Sequence, residues 1–70
     1  MGEEFIGEEF VKKYHKKCKK LNPSALGEIG LVQTIMGQHM GFIFKDKPIF
    51  WDEDSLTMVI QEGEEIREIG

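Results

Sequence analysis

Seventy residues, 40% hydrophobic and 31% charged, describe one ordinary globular domain rather than a disordered chain. A chain this short buries only about 60% of the surface its unfolded form exposes, which works against a deep catalytic cleft. The net charge of −4 is segregated, with six lysines between Phe10 and Asn22 and seven acids against Arg67 alone from Asp52 onward, so a partner meets one basic and one acidic surface.

One cysteine excludes an internal disulfide and agrees with a reducing compartment. No apolar run approaches the roughly 20 residues that span a bilayer. Met1-Gly2-Glu3-Glu4 is acidic where a signal peptide is basic. The expectation is therefore a cytoplasmic domain with no membrane partner.

In chain order, residues 1–21 are expected to hold a helix, drawn from Glu3 to Lys20 with Gly7 as an alternative start. Acids fill its first turns and lysines its last, as the helix dipole favours. Glu8 with Lys12 and Glu9 with Lys13 are i,i+4 pairs in the better orientation. Val11, Tyr14, Cys18 and Leu21, widened by Phe10, form an apolar stripe to pack on a sheet. The copies Gly2-Glu3-Glu4-Phe5 and Gly7-Glu8-Glu9-Phe10 fall on different helix faces, so the repeat carries no structural meaning.

Lys12, Lys13, Lys16, Lys17, Lys19 and Lys20 flank that stripe. One reading is a phosphate-facing helix for nucleic acid, giving affinity without sequence readout. The plainer reading is a solvated face whose lysine stems cover the edge of the core. The acidic remainder of the chain favours the plainer one.

Asn22-Pro23 ends the helix, because a residue before proline is pushed out of the α region. Ser24 to Met40 allows two readings. Pro23 at a first helical position could open a second helix with a small-residue stripe. Against it, several glycines at about 1 kcal/mol each favour strand and turn.

In the extended reading, Ile29 to Ile35 is a strand, Gly37-Gln38 a turn and Met40 to Phe44 the returning strand. Lys45-Asp46-Lys47 then separates Phe42-Ile43-Phe44 from Pro48-Ile49-Phe50-Trp51, two aromatic and β-branched runs that read as a hairpin. Leu56 to Ile60 supplies a further strand, and Glu64 to Ile69 a last edge strand or tail. The result is an antiparallel meander.

Gly27-Glu28-Ile29-Gly30-Leu31-Val32, then Gly41-Phe42-Ile43-Phe44, then Phe50-Trp51-Asp52-Glu53-Asp54-Ser55-Leu56 resembles the pattern of Src-homology-type small β-barrels, including tudor-like and KOW-like modules. The resemblance covers residues 27–60 and tips Ser24 to Met40 toward strands. It implies a small barrel over residues 27–69 and a binding module for peptides or nucleic acids, or a part of a larger complex. No full aromatic cage of the methyl-lysine-reading type can be assigned.

Three chemistry-bearing sets remain. Asp52, Glu53 and Asp54, with Glu62, Glu64 and Glu65, offer oxygen ligands for a calcium-type cation but lack the EF-hand spacing, so solvated acidic turns are the plainer account. His15 and Cys18 sit on neighbouring helical turns, with His39 a third zinc-ligand candidate. Without a second cysteine, and with Cys18 on the apolar stripe, a buried structural thiol is the better reading, and no orienting acid is placed for a nucleophile. Trp51 reads as core, or with Phe42, Phe44 and Phe50 as the wall of a peptide groove.

Together these readings predict a single α+β domain, an amphipathic helix packed on a small antiparallel β-barrel or bent five-strand meander. Its expected role is a non-enzymatic protein-interaction or regulatory module without cofactor. Nucleic-acid binding through the lysines, and cation binding by the acidic third, are the alternatives.

Overall fold

The computed structural model describes residues 6–69. Helix α1 spans Ile6–Leu21, followed by a 3₁₀ turn at Pro23–Ala25 and five strands: β1 Gly30–Thr34, β2 Gly37–Phe44, β3 Lys47–Asp52, β4 Thr57–Glu62 and β5 Glu65–Glu68. The strands are all antiparallel neighbours in chain order, β1-β2-β3-β4-β5. This is the α+β fold with a five-strand meander. The part of the helix reading that falls on Glu3, Glu4 and Phe5 lies outside the described residues.

Alternation along the strands makes two apolar faces. Phe42, Phe44, Ile49, Trp51 and Met58 face α1 and pack with Val11 and Cys18. Val32, Phe50 and Val59, with Ile66 beside them, form a second cluster. Each large side chain buried this fully contributes about 1.5–3 kcal/mol. Leu21, expected on the helix stripe, is 76% exposed. It sits at the last helical residue, beyond the reach of the sheet, and only Val11 and Cys18 of the stripe are fully covered, with Tyr14 half-buried.

The sheet curls without closing, so a closed barrel over residues 27–69 is not formed. Among the described strands, β1 and β5 do not pair. The backbone N–H of Ile35, in the β1–β2 turn, donates to the Gln61 side-chain oxygen on β4 at 3.0 Å, tying the tip of the first hairpin to β4. Upstream, Leu26 bridges Phe44 while Gly30 pairs with Gly41, leaving one extra residue between the two pairings. That bulge bends the strand line where it leaves the helix.

The turns explain three shifts from the sequence reading. Thr34 pairs with Gly37, so the first turn is Ile35-Met36 and Gly37, at φ +104°, opens β2 instead of forming the turn with Gln38. The Thr34 hydroxyl accepts from Met36 N at 3.0 Å and donates to Gly37 O at 2.7 Å, local bonds that fix this register. The β2–β3 turn is Lys45-Asp46 alone, both at positive φ, because Phe44 pairs with Lys47. Leu56 belongs to the β3–β4 loop and not to β4, held at φ +56° with its N–H bonded to Asp52 O at 2.8 Å.

Two glycines set close approaches. A side chain on Gly7 would meet the Trp51 indole at 2.5 Å, so its absence lets α1 settle on the sheet. A side chain on Gly41 would run into the Ile49 carbonyl and Phe50 across the ladder.

Candidate functional site

The helix is fastened to the sheet at two places. His15 Nε2 lies 2.9 Å from Gly27 O, with its ring edge-on to Phe42 at 5.0 Å. The Tyr14 hydroxyl donates to Ile69 O at 2.8 Å. On the Tyr14 side, α1 and the β3–β4 end of the sheet leave a cleft of about 210 Å³. Its lining is aromatic: Phe10 stacks on Trp51 with centroids 5.2 Å apart and planes 14° from parallel, and Tyr14 stands one helical turn further on.

Lys13 and Lys17 line the same cleft, with the Lys17 ammonium 5.1 Å from the centre of the Tyr14 ring. Leu56, 71% exposed, also borders it, beside Thr57 and Met58. A leucine in the left-handed region costs on the order of 1–3 kcal/mol, a strain retained where the surroundings impose it. Here the Asp52 carboxylate imposes it, accepting from Asp54 N and from Ser55 Oγ, both at 3.0 Å. Those bonds wind the loop so that Leu56 projects beside Phe10 and Tyr14.

The residues expected to form an aromatic groove lie elsewhere. Phe42 and Phe50 are 0% exposed, and Phe44 and Trp51 are buried. They are core, because strand alternation turns each onto one of the two apolar clusters. Trp51 alone of the four reaches the cleft, at its wall. All six lysines, Lys12, Lys13, Lys16, Lys17, Lys19 and Lys20, are exposed, with Lys12 paired to Glu8 at 3.6 Å.

The acidic residues do not converge. Asp52 ends β3 and Glu53 and Asp54 follow in the β3–β4 loop, whereas Glu62, Glu64 and Glu65 sit at the β4–β5 turn, the opposite end of β4. Glu62 pairs with Arg67 at 3.0 Å and Lys47 at 3.4 Å, and these hydrogen bonds hold its carboxyl below the ordinary range. Among the described residues, no three His, Cys, Asp or Glu side chains gather as a metal site. Cys18 is a buried free thiol, pushed up from its ordinary value by burial, with Lys45 pulling weakly the other way. His39 stacks at a tilt on Phe50, its Nε2 3.3 Å from Met36 O, on a different element from His15 and Cys18.

Sequence reasoning missed the cleft because it assigned Phe10 to the buried stripe and Leu56 to a strand. Phe10, Lys13, Tyr14 and Lys17 recur at 3, 1, 3 spacing along the flank of the buried stripe, and that mix of aromatic and basic side chains on one helix face was the available signal. No family model matches the chain, and no curated protein and no solved structure matches it either.

Proposed function

We propose that this chain is a non-enzymatic binding module that holds an acidic peptide segment by one apolar anchor side chain in the cleft between α1 and the β3–β4 loop. The observation that carries the reading is Leu56, strained and exposed at the rim of an aromatic wall that also bears two lysines. At about 210 Å³ the cleft suits one large side chain. Sites for whole small molecules run to about 300–1,000 Å³. Lys13 and Lys17 favour acids on the α1 side of the anchor, and the acidic β4–β5 turn at the opposite end of β4 discourages the same peptide from settling there.

Trp51 is the single tryptophan and borders the cleft, so its fluorescence reports occupancy. The probes are a peptide with one Phe among Asp and Glu, the same peptide with Phe replaced by Ser, and one with Lys in place of the acids. The reading expects saturable binding of the first alone, lost in Lys13→Glu/Lys17→Glu. Absence of saturable binding to the acidic Phe peptide overturns it.

A second reading, nucleic-acid binding, draws on the exposure of all six lysines along α1. A duplex oligonucleotide titrated at rising salt separates the two. Lysine–phosphate contacts give a steep linear fall in log affinity with log salt, and a duplex that does not bind at low salt removes this reading.

A further inference from the structure

Helix α1 packs on β2, β3 and β4, set back from β1, and its first turn borders a second recess of about 140 Å³. This recess shares only Trp51 with the cleft described above. Its floor is apolar. Leu31 on β1, 69% exposed, pairs with Met40 on β2, and Met40 packs against the cluster that holds Trp51. Its rim is acidic. Glu8 on α1 and Glu53 in the β3–β4 loop both border it, and among the described residues no lysine or arginine does.

Trp51 adds a polar donor. Its side chain is buried, and among the described residues no acceptor receives its indole N–H. No fully enclosed side-chain nitrogen among those residues lacks a partner, so this N–H opens onto a space beside it. Gly7 identifies which space: the indole nitrogen lies 2.7 Å from where a Gly7 side chain would stand, and Gly7 lines the recess and not the cleft.

From this match of charge and shape we infer that the recess is a second binding site, which takes one lysine or arginine side chain of a basic peptide segment. The stem lies on Leu31 and Met40, the cationic head sits beside Glu8 and Glu53, and a peptide carbonyl accepts from the Trp51 N–H. Long basic side chains suit such a place, covering apolar surface with the stem while the charge stays at the rim. Two groups oppose a cation here. The N-terminus of α1 carries about half a positive charge, but Glu8 and Glu9 in the first turn outweigh it. Lys12 lies 3.6 Å from Glu8, yet both side chains are exposed and such pairs contribute little, so Lys12 yields to an incoming head group. Asp52 and Asp54, the chain neighbours of Glu53, add to the negative field. The site does not rest on the peptide reading of the cleft, whose lysines select the opposite charge.

The probes are a peptide with one Lys among Gly and Ser, the same peptide with norleucine in place of Lys, and one with Glu there. Titrations are followed by the backbone and indole N–H resonances. Saturable binding of the lysine peptide alone is expected, weakening as salt rises, with the Trp51 indole signal moving and the backbone shifts centred on Leu31, Met40 and Glu53. Glu8→Gln/Glu53→Gln and, separately, Glu53→Gln should raise the dissociation constant, the double variant by about tenfold or more. Circular dichroism with thermal unfolding confirms that each variant is folded. Absence of saturable binding, equal binding of the norleucine peptide, wild-type affinity in both variants, or shifts centred on Phe10, Tyr14 and Leu56 overturns the inference. Self-association that salt and Glu8→Gln/Glu53→Gln abolish puts the lysines of a second copy in the recess and overturns the peptide as its occupant.

Discussion

The Tyr14 hydroxyl reaches across the sheet to the Ile69 carbonyl at 2.8 Å, joining the middle of the first element to the end of the last strand segment. Ile69 is itself held by its N–H to Met58 O at 2.9 Å, so one hydroxyl anchors the final residues against both α1 and β4. Tyr14→Phe keeps the ring and loses this bond. The expected cost is about 0.5–1.5 kcal/mol, read as a lower urea midpoint, with amides from Arg67 to Ile69 exchanging faster than those of β2 and β3.

Gly7→Ala tests how closely the helix lies on Trp51. Alanine is the better helix former by about 1 kcal/mol, so an unhindered site would be stabilised. The methyl instead meets the indole, and such overpacking costs about 1–3 kcal/mol. The expected net loss is about 1–2 kcal/mol, accompanied by a change in Trp51 emission as the Phe10–Trp51 stack opens. An unchanged or raised Tm refutes this account of the contact.

The β2–β3 turn is built from residues poorly suited to it. Lys45 and Asp46 sit at φ 54° and 66°, where Asn-Gly is the preferred pair. The double substitution Lys45→Asn/Asp46→Gly is expected to stabilise the fold by about 1 kcal/mol, relieving left-handed strain worth about 1–2 kcal/mol per ordinary residue while adding some unfolded-state freedom. For a domain this size that raises Tm by about 4–8 °C. Chemical denaturation gives an independent check.

Two groups make stability depend on pH in opposite directions. Arg67 and then Lys47 depress the Glu62 carboxyl, so its contribution is present above the ordinary value of 4.5 and is lost as pH falls through the lower folded value. Glu62→Gln should unfold more easily than wild type at neutral pH, and the difference should vanish in acid. Burial raises the Cys18 thiol, so its contribution is intact below 9.0 and is lost as pH climbs through the higher folded value. Cys18→Ala removes that alkaline slope, and urea midpoints across both ranges for the three proteins measure each effect.

Local chemistry made much of the architecture legible. Lysines and acids at opposite ends, with Val11 and Cys18 one repeat apart, announce the helix, and strand alternation around Phe42, Phe50 and Trp51 announces the meander. Features set by contacts between distant residues were not legible. The first turn was misplaced because Gly37 suits a turn by propensity, while the Thr34 hydroxyl bonds put the reversal at Ile35-Met36. Closure was implied by the small-barrel resemblance of residues 27–60, yet among the described strands β1 and β5 stay unpaired, an outcome set by distant strands and carried by no local signature. The cleft depends on Leu56 being wound outward by Asp52, which binary patterning reads as just another strand leucine.

Because the strands lie in the sheet in the order they are made, each finds its neighbour through a connection of two to four residues, and the sheet zips from one hairpin to the next with little entropic penalty for closing loops. Helix docking obeys a different schedule. Its lining comes from β2, β3 and β4 and its last tether from Ile69, so a chain emerging from the ribosome carries the apolar stripe of α1 uncovered until the strands as far as Ile69 have been translated. The acids and lysines that crowd that helix then serve a second purpose, keeping the waiting segment solvated while the strands that will cover it are still to come.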